Sequence, residues 1–451
     1  MINSKFTSML NRFKQEKSVS KEEERFVVET EGTASNTVAN SIKDFSKFNK
    51  NVSFAEHPLM QKINTMRGLG KTFNIEDPFF KTHESVNGVV TTLNGKSCIN
   101  YSSYNYLGLN DHPKLREAAV NAINEFGTSV GASRLVAGER PFQKQLENKL
   151  AKLYHKDDAI TFVSGHATNV SVISTLFGDK DLIIYDALDH NSIIEGIKLS
   201  GAKYFPYGHN DLIALEKLLQ NNRANYERVL IVTEGLFSMD GDIPNLPELL
   251  RIKKQYACVL MIDEAHALGV LGTKGTGIAE HFNINEEEVD IWMGTLSKTL
   301  ASCGGYIAAN QNIIDILRYY APGFVYSVGL SAPMAKAAIT ALDLLEQEPE
   351  RVLRLQSNSK LFLQLLKEQK FNVGNATGYA VVPVITGSSH KAIKLSAALF
   401  NEGINVQPII HPAVEEKQAR LRFFITSEHT SEQIQNTCNL LVKVCKKEGV
   451  I

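Results

Sequence analysis

Short apolar runs alternate with helix-patterned segments along most of the chain. Between residues 159 and 309 the runs are AITFVS, DLIIYD, RVLIVTE, CVLMIDE, DIWMG and GYIAA. The segments between them, such as NVSVISTLFG and NSIIEGIKLSG, have the apolar spacing of helices. Uninterrupted apolar strands separated by helices are typical of a mostly parallel sheet covered on both faces. The pattern therefore predicts an α/β fold whose ligands bind at the carboxyl ends of the strands.

Helical and strand patterns continue to the end of the chain. HPKLREAAVNAINEFG places Leu115, Ala119, Ala122 and Phe126 on one face and ends at Gly127, which predicts a helix. A long helical stretch follows APGFVYSVGLSAP, and the strands AVVPVIT, INVQPII and RLRFFIT then alternate with further helices.

These patterns predict four segments. Residues 101–334 form a large domain, and residues 335–451 form a smaller α/β domain. Residues 61–100 lead into the core. Residues 1–60 are a polar extension, which is either a docking or oligomerisation segment or a poorly ordered tail.

Composition and charge narrow the class of partners. The 451 residues are 43% hydrophobic, with a formal net charge of -1 and a pI near 6.9. This balance gives no electrostatic case for nucleic acid or an anionic membrane as the main partner, although a local basic patch for a phosphorylated carrier stays open. We find no secretion signal or membrane-length apolar stretch and expect a cytoplasmic protein.

The five cysteines are odd in number and scattered without CxxC spacing. This usage favours reduced thiols over a disulfide framework or a zinc site, and we expect no metal site. For Cys303 we favour a small core residue over a reactive thiol.

Lys298 has an unusual setting for a lysine. In GTLSKTLASCGGYIAA it stands among small hydroxyl residues, after the apolar run DIWMG and before the strand pattern GYIAA. A lone lysine is normally a solvated surface residue. A lysine with a lowered pKa in a partly desolvated site can instead form a Schiff base.

Other polar residues also follow predicted strands. VLMIDEAHALG leads an apolar strand into Asp263 and His266, which could pair with a pyridinium nitrogen or simply form an N-cap and a satisfied core pair. VSGHATN places Gly165 at a helix start, a potential anion site. YDALDHNS provides His190, which could stack on a ring or be a core histidine.

Taken together, these motifs resemble one family. SYNYLGL, SGHATN, DHNSIIEG, EGLFSMDGD, DEAHALGVLG, GTLSKTLASCGGY and RLRFFIT occur in the order found in the α-oxoamine synthases, pyridoxal-phosphate enzymes of the type I aminotransferase fold. The resemblance covers roughly residues 75–445. It implies a large, mostly parallel sheet of about seven strands, a smaller C-terminal α/β domain, and a homodimer.

The resemblance also implies roles for individual residues. Lys298 is similar to the Schiff-base lysine, Asp263 to the partner of the pyridine nitrogen, and His266 to the partner of the phenolic oxygen. His190 is similar to the histidine stacked on the ring, and Arg422 to the arginine that binds the amino-acid carboxylate. Ser238 is expected near the cofactor oxygen, and Glu234, which begins the same motif, has a supporting role. The expected phosphate contacts are Thr295, Gly165 and His166. The expected substrate contacts are Tyr104 and Asn105. Arg420 is the second candidate for binding the carboxylate. The alternative for Arg420 is a solvated residue on an edge strand.

The activity implied is decarboxylating condensation of a small amino acid (serine, glycine or alanine) with an acyl thioester, carried on coenzyme A or a carrier protein. Tyr104 resembles the serine palmitoyltransferase pattern and disfavours the synthases of aminolevulinate and of the biotin precursor. GTSVGASRLVAGER resembles polyketide-associated members. The alternatives are an aminotransferase, which would need a second carboxylate site, and a non-catalytic partner subunit, which should lack Lys298.

Overall fold

A computed structural model of the chain describes residues 53–72 and 77–448. The chain divides into two units, residues 1–66 and 67–451. In the first unit the described residues form a 3-10 turn, Phe54–Glu56, and the start of the helix Pro58–Thr72. Most of the predicted extension, residues 1–52, lies outside the described residues.

The second unit is built around three sheets. Their strands are β1 Val90–Leu93, β2 Lys96–Asn100, β3 Asp158–Phe162, β4 Leu182–Asp186, β5 Lys203–Tyr207, β6 Val229–Glu234, β7 Val259–Asp263, β8 Ile291–Thr295, β9 Gly305–Ala309, β10 Val381–Ile385, β11 Ile404–Asn405, β12 Gln407–Ile409 and β13 Arg420–Phe424.

The helices of this unit are Pro113–Phe126, Pro141–Leu153, Gly165–Leu176, Asn191–Ser200, Leu212–Asn222, Leu246–Tyr256, Ile278–Phe282, Gln311–Tyr320, Pro322–Val325, Ala332–Gln347, Glu350–Glu368, Ser389–Asn401 and Ser431–Lys447. Short turns occur at Arg134–Gly138, Arg223–Asn225, Glu286–Glu288 and Glu416–Gln418. The long predicted helical stretch is two helices, because Pro349 follows the first one. The predicted domain boundary at residue 335 falls inside the helix Ala332–Gln347.

The largest sheet has seven strands in the order β3-β9-β8-β7-β6-β4-β5. Strand β9 is antiparallel to both of its neighbours, and the other pairings are parallel. Alternate residues of β6 enter two different apolar clusters, with Val229 and Ile231 in one and Leu230 and Val232 in the other. Both faces of this sheet are therefore covered, which explains the uninterrupted apolar runs and confirms the predicted α/β fold.

Two three-stranded sheets complete the unit. One has the order β1-β2-β11, so the parallel pairing of β11 with β2 joins residues 96–100 to the C-terminal part of the chain. The other has the order β10-β13-β12. Because β13 pairs on both sides, the expectation of a solvated edge-strand position for Arg420 is wrong. Arg420 is buried and paired with Asp240, with 2.7 Å between Nη1 and Oδ1.

The five cysteines lie in different environments. All five cysteines are free thiols. Cys303 is exposed, so its assignment to the core is wrong: it lies in the turn between β8 and β9, outside the buried strands. No helix in the described part of the chain combines the length and the apolar character that crossing a membrane requires.

Candidate active site

Five strands of the large sheet bring predicted site residues to the edge formed by their carboxyl ends. Glu234 and Asp263 are the last residues of β6 and β7 and lie opposite each other in register. Lys298 follows β8, His190 follows β4, and Gly165 follows β3 at the start of a helix. This is the edge at which ligands of such sheets bind.

These residues surround one cavity of about 270 Å³. Such a volume suits a small cofactor or substrate. Its wall includes most of the predicted site residues, namely Tyr104, Gly165, His166, His190, Glu234, Asp263, His266, Thr295 and Lys298. Three other predicted residues, Asn105, Ser238 and Arg422, lie outside this wall.

Asp263 is buried and held by two donors. The Asn169 side chain donates to Oδ2 at 2.8 Å, and the Ala265 amide donates to Oδ1 at 2.9 Å. Among the described residues, no lysine, arginine or histidine lies within ion-pair distance of this carboxylate. A buried carboxylate facing a cavity favours a cationic ligand atom, such as a protonated pyridine nitrogen.

Lys298 reaches the cavity beside this carboxylate. Its side chain is half-buried, and Nζ lies 5.5 Å from the centre of the Tyr104 ring. Burial lowers the pKa of Lys298 to about 8, although Asp263 and Glu234 raise it. About a tenth of the amine is therefore neutral at pH 7, far more than for an ordinary lysine, and the neutral form is the one that a nucleophile or base requires.

His266 is held in one tautomer by a neighbour. Tyr106 Oη lies 2.6 Å from His266 Nδ1, and both side chains are buried. Burial raises the pKa of Tyr106 well above its ordinary value and lowers the pKa of His266 well below its own. The phenol keeps its proton, and the described chain offers that proton no other acceptor. Tyr106 therefore donates to Nδ1, and Nε2 of His266 carries the ring proton.

His190 has the same tautomer for a different reason. It caps the helix Asn191–Ser200, and its Nδ1 accepts from the Ser192 amide at 3.2 Å and lies 2.7 Å from the Ser192 hydroxyl. Burial lowers the pKa of His190. The ring is therefore neutral near pH 7 and presents an Nε2 proton as a donor.

The start of the helix Gly165–Leu176 forms an anion cradle. Within the described chain, the amides of Gly165 and His166 have no hydrogen-bond partner, whereas Ala167 donates to the capping Ser164 hydroxyl. A Cβ at Gly165 would lie 3.0 Å from Thr295 Oγ1, so a larger residue would fill the cradle. Free amides at a helix start together with a nearby hydroxyl suit a phosphate group.

A wall of aromatic rings connects Arg422 to the cavity. The Arg422 guanidinium lies over Phe424 at 4.6 Å, and Phe424 packs edge-on against Tyr104 at 4.9 Å. Arg422 Nη1 donates to the Ser238 carbonyl at 3.2 Å, while its buried Nε has no partner in the described chain. Arg422 thus keeps donor capacity, whereas Arg420 is committed to Asp240 and the Met239 carbonyl.

Three supporting residues were not identified from the sequence. Asn169 holds Asp263, Ser192 orients His190, and Tyr106 orients His266. Asn169 carries a usable signal, because it stands four residues after Gly165 on the same helix face. Asn105, which we predict at the substrate, accepts the Asn110 amide at 3.1 Å within its own turn.

The geometry fits the ring nitrogen, the aldehyde and the phosphate of pyridoxal phosphate. Asp263 suits the ring nitrogen, Lys298 the aldehyde carbon, and the cradle at Gly165 the phosphate. The neutral Nε2–H groups of His190 and His266 are donors for oxygen atoms at the ring.

The profile of the family "Aminotransferase class I and II" matches residues 96–441. A curated 8-amino-7-oxononanoate synthase from Thermoanaerobacter pseudethanolicus is 38% identical over 368 residues, which are 82% of this chain and 93% of that protein. Another from Geotalea daltonii is 40% identical over 79% of this chain and 91% of its own length.

Solved structures agree with the sequence relatives. Serine palmitoyltransferase of Sphingomonas wittichii superposes with a TM-score of 0.82 at 29% identity, over 90% of this chain and 99% of that one. An 8-amino-7-oxononanoate synthase from Francisella tularensis gives a TM-score of 0.68 at 31% identity, over 78% and 99% of the two chains. The chain therefore belongs to the class I and II aminotransferase family and, within it, to the α-oxoamine synthases, pyridoxal-phosphate-dependent acyltransferases that condense an amino acid with an acyl thioester and release carbon dioxide.

Proposed function

We propose that this enzyme joins serine, glycine or alanine to a lipid-type or polyketide-type acyl thioester, with Lys298 as the cofactor-binding amine and the base. One observation carries the proposal: the Lys298 amine, with its pKa lowered to about 8, shares a cavity with Asp263, His190, His266 and the helix start at Gly165. Pyridoxal phosphate, when bound, supplies an electron sink for the charge that develops at the amino acid's α-carbon.

The chain's own residues account for the proton and charge transfers. Lys298 would hold the cofactor through a covalent bond from its Nζ, and the same amine, once free and neutral, would act as the base for the amino acid's α-proton. Asp263 would face the ring nitrogen as a hydrogen-bond acceptor, and the Asn169 side chain, which donates to its Oδ2 at 2.8 Å, fixes its orientation. His190 and His266 offer Nε2 protons to oxygen atoms of the cofactor or the thioester.

The amino-acid carboxylate is assigned to Arg422. Its buried Nε lacks a partner within the described residues, and its position behind Phe424 and Tyr104 leads to the cavity wall. The committed ion pair of Arg420 argues against this second candidate. A guanidinium binds a carboxylate bidentately, which also orients the α-carbon.

The relatives suggest two substrate pairs. By their names, one group transfers palmitoyl to serine and the other makes 8-amino-7-oxononanoate. The second product corresponds to alanine condensed with a seven-carbon acyl group that ends in a carboxylate. We place the first type ahead, because Tyr104 matches the serine palmitoyltransferase pattern. The identity of 38–40% to the second group keeps that pair as the second candidate.

A substrate panel tests the proposal. The purified enzyme with pyridoxal phosphate is mixed with each of the three amino acids and with long-chain, carboxylate-terminated and short-chain acyl thioesters, on coenzyme A or on carrier protein. Thiol release and carbon dioxide release are measured together. Equal release of both with one pair identifies the substrates. Keto acid formed without thiol would show an aminotransferase and contradict the proposal.

Two further features of the partners belong to the proposal. The apolar side chains of Val136 and Tyr326 are exposed. Their two segments are joined by a hydrogen bond from the Gly329 amide to the Ala132 carbonyl. Such exposed apolar side chains favour burial against a second copy of the chain. The free thiols favour the cytoplasm. A single-chain mass at equilibrium sedimentation would contradict the homodimer.

A further inference from the structure

A histidine outside the cavity lies between two aspartates. His209 Nδ1 is 2.9 Å from Asp186 Oδ1, and Nε2 is 2.9 Å from Asp242 Oδ2. The ring packs edge-on against Phe237 at 4.4 Å. None of Asp186, His209 and Asp242, hereafter the His209 clamp, lines the cavity.

The hydrogen bonds define the charge of this clamp. Both aspartates are buried, with side-chain exposures of 0% and 8%. An ionised carboxylate only accepts hydrogen bonds, so both ring nitrogens of His209 donate and the ring is an imidazolium. Burial lowers the pKa of His209, but the bonds to Asp186 and Asp242 outweigh it and raise this pKa to about 10.

The other groups that face the clamp do not change this charge. Asn210 donates its amide to Asp186 Oδ2 at 2.8 Å and its side chain to Asp242 Oδ2 at 3.2 Å. Burial, with Glu234 and Asp186 nearby, raises the pKa of Asp189 well above its ordinary value. This direction disfavours a further negative charge beside the clamp, whose two carboxylates face one cation.

At one end of the clamp, Asp186 holds the segment that carries His190 through hydrogen bonds. Asp186 ends β4, and its Oδ1 also accepts the Leu188 amide at 2.9 Å. The Asp186 amide in turn donates to Asp189 Oδ2 at 3.1 Å. These bonds fix the short turn from Asp186 to His190.

The other end controls the loop after β6. The Phe237 amide donates to the Asp242 carbonyl at 3.0 Å, which closes this loop. Within it, the Ser238 carbonyl accepts from Arg422, and the Ser238 amide donates to Glu234 Oε2 at 3.3 Å. The clamp is thus the charged connection between the segment of His190 and the loop that contacts Arg422.

We infer that His209 is a positioning residue: its permanent imidazolium ties these two segments together and so sets His190 and Arg422 relative to each other. The inference rests on the proposed function for its catalytic consequence. Its structural part, the charge state of His209, stands independently of any substrate. A displacement of about 1 Å in a catalytic group can cost about a hundredfold in rate, so this connection matters for activity.

The first test is a nitrogen-15 NMR titration of histidine-labelled enzyme, with His209→Gln used to assign the signal. The imidazolium signal should persist to pH 9. Titration of His209 near pH 6.5 would overturn the inference, whatever the enzyme's substrates prove to be. This readout therefore separates failure of the clamp from failure of the proposed function.

The second test measures positioning. His209→Gln should raise the KM for the amino acid about tenfold or more and change the circular dichroism of the bound cofactor. Asp242→Asn, which keeps an acceptor for Nε2, should cause a smaller change in the same direction and guards against misfolding of the first variant. His155→Gln is the control, because His155 pairs with Glu286 at 3.3 Å and is exposed. Unchanged KM and dichroism in both clamp variants would overturn the inference.

Discussion

Removal of the Tyr106 hydroxyl should lower both the stability of the protein and its catalytic rate. Tyr106 is fully buried, and its hydroxyl donates to His266 Nδ1 at 2.6 Å. The substitution Tyr106→Phe keeps the ring and its packing but leaves a buried nitrogen unpaired. It also removes the only group in the described chain that holds the ring proton of His266 on Nε2.

The magnitude follows from the cost of an unpaired buried group. Such a group costs about 1–3 kcal/mol, and the free energy of unfolding should fall by that amount. The ring proton of His266 then has no fixed nitrogen, so the donor aimed at the cofactor is present only part of the time. A loss of about 1.4 kcal/mol of transition-state stabilisation corresponds to a tenfold lower kcat. We expect at least that loss, with a shifted absorption maximum of the bound cofactor.

The chain offers a matched control for this experiment. Tyr154 is equally buried, and its hydroxyl lies 2.7 Å from the Tyr306 hydroxyl, away from the cavity wall. Tyr154→Phe should cost similar stability in urea unfolding but leave kcat and the absorption maximum unchanged. If both variants lose stability equally and Tyr106→Phe also keeps kcat and absorption, then Tyr106 does not set the tautomer of His266.

Three other substitutions test separate parts of the account. Lys298→Ala should leave no cofactor mass on the chain after borohydride reduction, and retained covalent cofactor would show that another lysine binds it. Arg422→Ala should raise the KM for the amino acid by about 10–150-fold, since a charged hydrogen bond is worth about 1.5–3 kcal/mol. The control is Arg116→Ala, because Arg116 is exposed. If Arg422→Ala has no larger effect than this control, another group binds the carboxylate. Burial raises the pKa of Glu264 from 4.5 to about 8. Between these two pH values the folded state retains a proton that the unfolded state loses, so the free energy of unfolding falls as the pH rises through this window. Glu264→Gln should flatten the stability profile in that window, and an unchanged slope in urea unfolding would refute the assignment.

The large sheet was predictable because its signal is local. Strands buried on both faces produce uninterrupted apolar runs, and all six runs between residues 159 and 309 are strands of the seven-stranded sheet. The edge strand β5 was missed, since KYFPY is half exposed and contains Pro206. The hairpin β1–β2 was missed as well, although Asn94 and Gly95, both with positive φ, are its turn signal.

The site was predictable only in part, for a related reason. Residues that directly follow strands meet at one sheet edge by topology alone, as Glu234, Asp263 and Lys298 do. Tyr106 and His266 are 160 residues apart in the sequence, and the clamp joins Asp186 to Asp242 through His209. Contacts of this kind depend on how distant loops pack, which no local pattern records.

The charges at the cavity form one consistent arrangement. His190 and His266 are neutral, so the cations near the cavity are Lys298 and Arg422, and the buried acids are Asp263 and Glu234. Burial and the neighbouring Asp263 raise the pKa of Glu234 to about 8, so this acid stays largely protonated near pH 7. Because Lys298 is assigned to the covalent bond with the cofactor, the Asp263 carboxylate and the Arg422 guanidinium are left to receive charge. A protonated ring nitrogen would pair with the Asp263 carboxylate, and the carboxylate of an amino acid would pair with Arg422. The site therefore favours a substrate that carries a carboxylate over one that lacks it.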